Sequence, residues 1–251
     1  MKKIIRKVLS IFAAKILPEV PYPVLKGPLK GLKIVLGSLA GRGKGASVYL
    51  NQVEREQTIE FLNRVKKDTI VFDVGANVGY YTLLASLQVG TNGKVFAFEP
   101  VVRNLSYLNR HIELNRLKNV VVLPLACSDK SELVEFSFGA NRAEGHLIEV
   151  DDAKSTDEKF FSYTYVHTIS LDEFVHYSKN SPNIIKIDVE GAELLVLKGA
   201  KEILKNNKPV IFLSIHSEEL EITCKEFLLE FDYEFILLDE KERPSVEYLC
   251  M

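Results

Sequence analysis

The feature that most restricts the fold is an alternation that begins at residue 69. Short β-branched apolar runs are each followed by a helical pattern, and several runs end on acids or glycines. Strands are expected over 69–74, 94–99, 119–126, 183–189, 210–216, 234–238 and 246–249. Helices are expected over 80–89, 101–115, 192–206 and 218–231. Most of the runs are apolar on both sides, as strands covered on both faces are, so the pattern predicts a mostly parallel seven-stranded sheet with helices on both faces. Only the short link 239–244 separates the last two strands, which reads as an antiparallel hairpin at one edge. Residues 131–180 form an insertion between strands three and four. Its alternating patches, 133–138 and 163–169, suggest extra antiparallel strands rather than a crossover helix.

The 251 residues fit one large domain with an N-terminal appendage. The expected division is 1–50 as amphipathic helix and lead-in, and 51–251 as the α/β domain, entered through a helix over 51–65 that buries Val53, Ile59, Phe61 and Leu62. A net charge of −2 gives no general attraction to nucleic acid, and the three cysteines form neither a disulfide framework nor a metal-ligand spacing. A reducing, cytoplasmic setting is expected. In residues 1–17, Ile5, Leu9, Phe12 and Ile16 share one helical stripe behind Lys2, Lys3, Arg6 and Lys7. That segment reads either as a helix packed on its own domain or as a peripheral contact with a membrane surface. Lys15 interrupts the apolar run, and no small-x-small site follows it, which is a poor match to a signal peptide.

The chemistry concentrates where the first two strands end. Strand one closes in Asp73-Val-Gly75-Ala-Asn77-Val-Gly79, and strand two in Glu99-Pro100. In an open parallel sheet, ligands bind at the carboxyl ends of the strands, and a glycine turn there lets backbone approach them closely. Glu99 is placed to accept both hydroxyls of a ribose. A nicotinamide site usually carries G-x-G-x-x-G, whereas here the spacing is G-x-x-x-G with the acid Asp73 ahead of it. Such an acid would repel a pyrophosphate, but it suits the α-amino group of S-adenosylmethionine (SAM). No triphosphate-binding G-x-x-x-x-G-K-[ST] is present. The competing structural reading is that Gly75 and Gly79 only tighten a turn and Glu99 caps the next helix.

At this point the sequence resembles the FkbM-type SAM-dependent methyltransferases. The resemblance rests on VFDVGANVGYYTLLAS, VFAFEP, LACSD, ISLDEF, IIKIDVEGAELLVLKGA and PVIFLSIH. It implies a Rossmann-like methyltransferase fold, SAM as donor, and a hydroxyl acceptor on a sugar residue of a polysaccharide or glycolipid, or on a secondary metabolite. Ser214 departs from the pattern, because members commonly carry glutamate there. Acceptor-side candidates are Asp188 and Glu190 at the end of strand four and His216 at the end of strand five. Asp129, after strand three, is a candidate for the adenine amino group. His167, His146 and Arg142 lie in the insertion, read as a roof over the acceptor. Each has a plain alternative as a cap or turn residue. Removing a hydroxyl proton needs a base or a bound divalent cation, and carboxylates at Asp188 and Glu190 suit either task. Two other functions remain open. One is a SAM- or nucleoside-binding module without catalysis. The other is a nucleic-acid methyltransferase, disfavoured because strand four ends in DVEG rather than N/D-P-P-Y/F and no Pro-Cys nucleophile pair occurs.

Overall fold

The computed structural model describes residues 18–38, 46–49, 53–138, 145–147, 162–240 and 245–251. The expected N-terminal helix over 1–17 lies outside them, as do Arg142 and the charged run 151–159. The chain enters through β1 (Pro21–Pro23) and β2 (Lys33–Val35), which pair antiparallel, then α1 (Ala46–Tyr49) and α2 (Arg55–Arg64). Alternation follows: β3 (Ile70–Val74), α3 (Tyr80–Val89), β4 (Lys94–Phe98), α4 (Val102–Leu114) and β5 (Val120–Leu123). After an inserted unit, β10 (Ile184–Ile187) is followed by α6 (Glu193–Lys198) and α7 (Lys201–Asn206). Next come β11 (Val210–Ile215), α8 (Glu218–Leu229), β12 (Phe235–Glu240) and β13 (Val246–Cys250).

The main sheet has seven strands in the order β12-β13-β11-β10-β3-β4-β5. From β11 to β5 neighbouring strands are parallel, while β13 runs antiparallel to both β11 and β12. The mostly parallel seven-stranded sheet and its edge hairpin therefore match the apolar runs. Alternate strand residues feed two cores. On one face Phe72, Phe96 and Phe98 surround Phe174, with ring centroids 5.0–5.4 Å from it. On the other, Val71, Val95, Ile184 and Phe212 pack under α2 and α3 against Phe61, Leu83 and Leu84. Each fully buried side chain of this size contributes about 1.5–3 kcal/mol. The lead-in shares this second core through Val24, Leu29, Ile34 and Leu36. Ile59, expected inside, is 49% exposed because α2 turns Phe61 inward and Ile59 outward.

Three expectations need correction. The strand over 119–126 splits, since Pro124 cannot donate to a ladder. β6 (Ala126–Cys127) leaves the main sheet and pairs parallel with β9 (Ser162–Ile169). β9 also pairs with β7 (Leu133–Phe138), and β7 with β8 (Gly145–Leu147), giving a separate four-stranded sheet. The insertion also contains the helix the sequence reading set aside: α5 (Leu171–Ser178) starts at Ser170, whose hydroxyl accepts from the Glu173 N–H. Third, the helix over 192–206 breaks at Gly199-Ala200. There the Asp172 carboxylate caps the second helix by accepting from the Glu202 and Ile203 N–H groups at 2.9 and 3.0 Å, and the loop after β6 packs so closely that a Cβ at Gly199 would lie 2.1 Å from the Ser128 carbonyl oxygen. No helix among the described residues is long and apolar enough to cross a membrane.

Candidate functional site

The chain runs outward from β3 through β4 to β5, then returns to β10 on the other side of β3. That reversal opens a crevice at the carboxyl ends of the strands, where sheets of this kind bind ligands. A cleft lies there, lined by Gly75, Asn77, Glu99, Asp188 and Glu190 among others.

The glycine turn is built by backbone contacts. The Gly75 and Ala76 N–H groups both donate to the Phe98 carbonyl, at 3.0 and 2.9 Å. Gly75 has φ +81°, and a Cβ there would meet the Asp188 carbonyl oxygen at 1.9 Å, so only glycine lets β3 and β10 end side by side. Gly79 serves packing, because its missing Cβ leaves room for Leu108 of α4. Glu99 is 4% exposed. Its Oε2 accepts from the Asn77 N–H at 2.7 Å and its Oε1 from the Val101 N–H at 2.9 Å. Burial raises its pKa to about 7 against the pull of those hydrogen bonds. Asn77 sits at φ +51°, and its buried Oδ1 has no hydrogen-bond partner among the described residues. A buried acceptor without a donor, beside a glycine turn and a carboxylate, fits a ligand rich in hydroxyl and amino groups, as SAM is.

Three other cofactor-side candidates do not line the cleft. Gly79 lies behind the turn. Asp73 is buried and accepts from the Thr82 hydroxyl at 2.5 Å; burial raises its pKa to about 6, opposed by Thr82 and by the Lys186 charge. Asp129 is exposed, 3.2 Å from the Ser128 hydroxyl.

The acceptor-side candidates do converge. His216 Nε2 lies 3.5 Å from Asp188 Oδ1 and 3.4 Å from Glu190 Oε2, while its Nδ1 is 2.7 Å from Glu193 Oε1. The chain turns sharply here, with Glu190 at φ +54° and Gly191 at φ +115°. Burial alone would lower the His216 pKa. The hydrogen bond to Glu193 and the charges of Asp188 and Glu190 outweigh it and raise the pKa to about 9. His216 is therefore an imidazolium at neutral pH. Asp188, Glu190 and His216 also offer ligand atoms within 4.8 Å of one another, so a cation there would compete with the Nε2 proton.

Sequence reasoning missed several groups around this site. Lys186 lies under Asp188, with Nζ 3.4 Å from Oδ2 and its side chain 1% exposed. Burial opposes its charge, but Asp188, Glu247, Glu54 and Asp73 outweigh that and raise its pKa. A lone lysine inside the apolar run IIKIDV was the available signal. Glu193 was hidden in a helical pattern. Phe136 brings the inserted sheet into the cleft, packed with Val101, Ala126 and Val166. His167 points to solvent on the outer face of β9, and His146 falls in β8.

Comparison with known proteins identifies the family. Hexuronic acid methyltransferase AglP of Haloferax volcanii is 32% identical over 160 residues, covering 62% of this chain and 59% of the relative. Methyltransferase 1 of Beauveria bassiana is 24% identical over 146 residues, covering 53% and 58% respectively. The chain thus spans under three fifths of the length of these curated relatives. The crystal structure of methyltransferase FkbM from Methylobacillus flagellatus superposes with a TM-score of 0.51 at 15% identity, covering 99% of this chain and 60% of that one, and shares the Rossmann-like fold. The model of the methyltransferase FkbM domain matches residues 73–237, well over half of the sequence, and the chain belongs to that family.

Proposed function

We propose that the protein transfers the methyl group of SAM to a hydroxyl of a sugar-containing acceptor: a free sugar, a glycolipid or polysaccharide residue, or a glycosylated metabolite. The observation that carries this reading is that the Glu99–Asn77 pair and the carboxylates Asp188 and Glu190 line one cleft, with His216 held against the two carboxylates. Similarity to a hexuronic acid methyltransferase supports a sugar acceptor.

When bound, SAM supplies a methyl group already activated by its sulfonium, which leaves alignment and proton removal to the protein. Gly75 keeps the turn open to close approach, Glu99 accepts ribose hydroxyls, and the free Asn77 Oδ1 accepts from an amino or hydroxyl group. His216, already protonated, is not the base. Its role is to hold Asp188 and Glu190 through Nε2, with Glu193 fixing the ring through Nδ1. Asp188, in the cleft and partly exposed, takes the acceptor proton, a contribution of about 10²–10⁴ in rate.

The test is release of S-adenosylhomocysteine on incubation with SAM and a panel of sugars, including hexuronic acids. A product whose methyl group survives mild alkali is the expected ether. An alkali-labile product would be an ester and would overturn the hydroxyl assignment. SAM binding by calorimetry without turnover on any acceptor would favour a binding module instead.

A further inference from the structure

Beneath Asp188 a chain of buried polar groups crosses the sheet to the last strand. Lys186 Nζ donates to the Ser214 hydroxyl at 2.6 Å, and that hydroxyl donates to Glu247 Oε2 at 2.7 Å. Ser214 and Glu247 are cross-strand partners in β11 and β13. Glu247 also accepts from the Gln57 amide of α2, and Gln57 Oε1 lies 2.5 Å from the Tyr81 hydroxyl. Lys186, Ser214, Glu247 and Gln57 are each at most 1% exposed, and the chain meets solvent at its two ends, at Asp188 and, through the Tyr81 hydroxyl 2.8 Å from it, at half-buried Glu54. Gln57 and Glu247 both fall outside the family-matched span 73–237.

We propose that Glu247 is a positioning residue of the active site, acting on Asp188 through Ser214 and Lys186. This rests on the methyl-transfer reading above. The two oxygens of Asp188 are held separately, Oδ2 by Lys186 and Oδ1 by His216, which sets the plane of the carboxylate. Lys186 in turn is shared between Asp188, which it meets directly, and Glu247, which it meets through Ser214, with the charges of Glu54 and Asp73 further off. Without the Glu247 charge the balance shifts towards Asp188, and an ammonium drawn closer to that carboxylate both turns the base and weakens it. Stability does not account for the arrangement, since burying ion pairs gains little over apolar side chains of similar volume.

The experiment compares kcat and KM for Glu247→Gln, Asp188→Asn and the double variant, with folding of each checked by thermal melting. Glu247→Gln is expected to lower kcat about tenfold to a hundredfold while KM for SAM stays within about twofold. In the Asp188→Asn background the same change should alter kcat by less than about twofold, because its target is gone. Ser214→Ala cuts the same chain with a smaller change and should show the same coupling, which keeps the test valid if Glu247→Gln does not fold. A wild-type kcat in Glu247→Gln, or an equal loss in both backgrounds, would overturn the inference. A wild-type rate in Asp188→Asn alone would instead overturn the base assignment beneath it.

Discussion

In the proposed reaction the charge on His216 decides which group would remove the acceptor proton, and it can be measured without substrate. Its pKa of about 9, against an ordinary 6.5, comes from three carboxylates overcoming burial, with Glu193 Oε1 only 2.7 Å from Nδ1. Replacing Glu193 by glutamine keeps the shape and a hydrogen-bonding oxygen but removes a fully buried negative charge. The pKa should then fall by about one unit or more. In the native protein the shift is also a stability statement. The folded pKa lies above the unfolded one, so the contribution is present in full below about pH 6.5 and is lost as pH rises through about 9. At about 1.4 kcal/mol per unit it amounts to at most about 3.5 kcal/mol, an upper bound because the ring is 22% exposed. For a chain of this size that loss lowers the melting temperature by at most roughly 7–14 °C. NMR titration of the imidazole protons measures the pKa directly, with His216 assigned from the signal missing in His216→Gln. A native pKa at or below 6.5 would refute the reasoning and make His216 rather than Asp188 the base.

Two further outcomes follow from the cofactor side. Glu99→Ala should weaken SAM binding tenfold to a hundredfold by calorimetry, the cost of about 1–3 kcal/mol for unpaired hydroxyls; native affinity should also fall as pH drops below about 7, where Glu99 takes up a proton. Gly75→Ala should lower both SAM affinity and rate, because its Cβ would fall 1.9 Å from the Asp188 carbonyl oxygen and the left-handed backbone adds about 1–2 kcal/mol; unchanged affinity in that variant would show that the turn tolerates a side chain.

The sequence alone determined the layered sheet, the position of the glycine turn and the strand ends that carry Glu99, Asp188, Glu190 and His216. These are properties of local periodicity and of chain order, which hold whatever the packing. Tertiary structure decided the rest. At Gly199 the Ser128 carbonyl leaves no room for a side chain, and Gly79 combines a φ of +96° with close packing by Leu108; neither contact can be read from neighbours in sequence. Asp73 and Asp129 sit in the right segments, but one turns inward to Thr82 and the other outward to solvent. The proton on His216 depends on a buried glutamate from another element, and Lys186 reaches Glu247 only because β11 and β13 place Ser214 and Glu247 in register. Charge and hydrogen bonding act through space over a few ångströms, so a residue's role is set by the side chains folded against it, which the linear order does not contain.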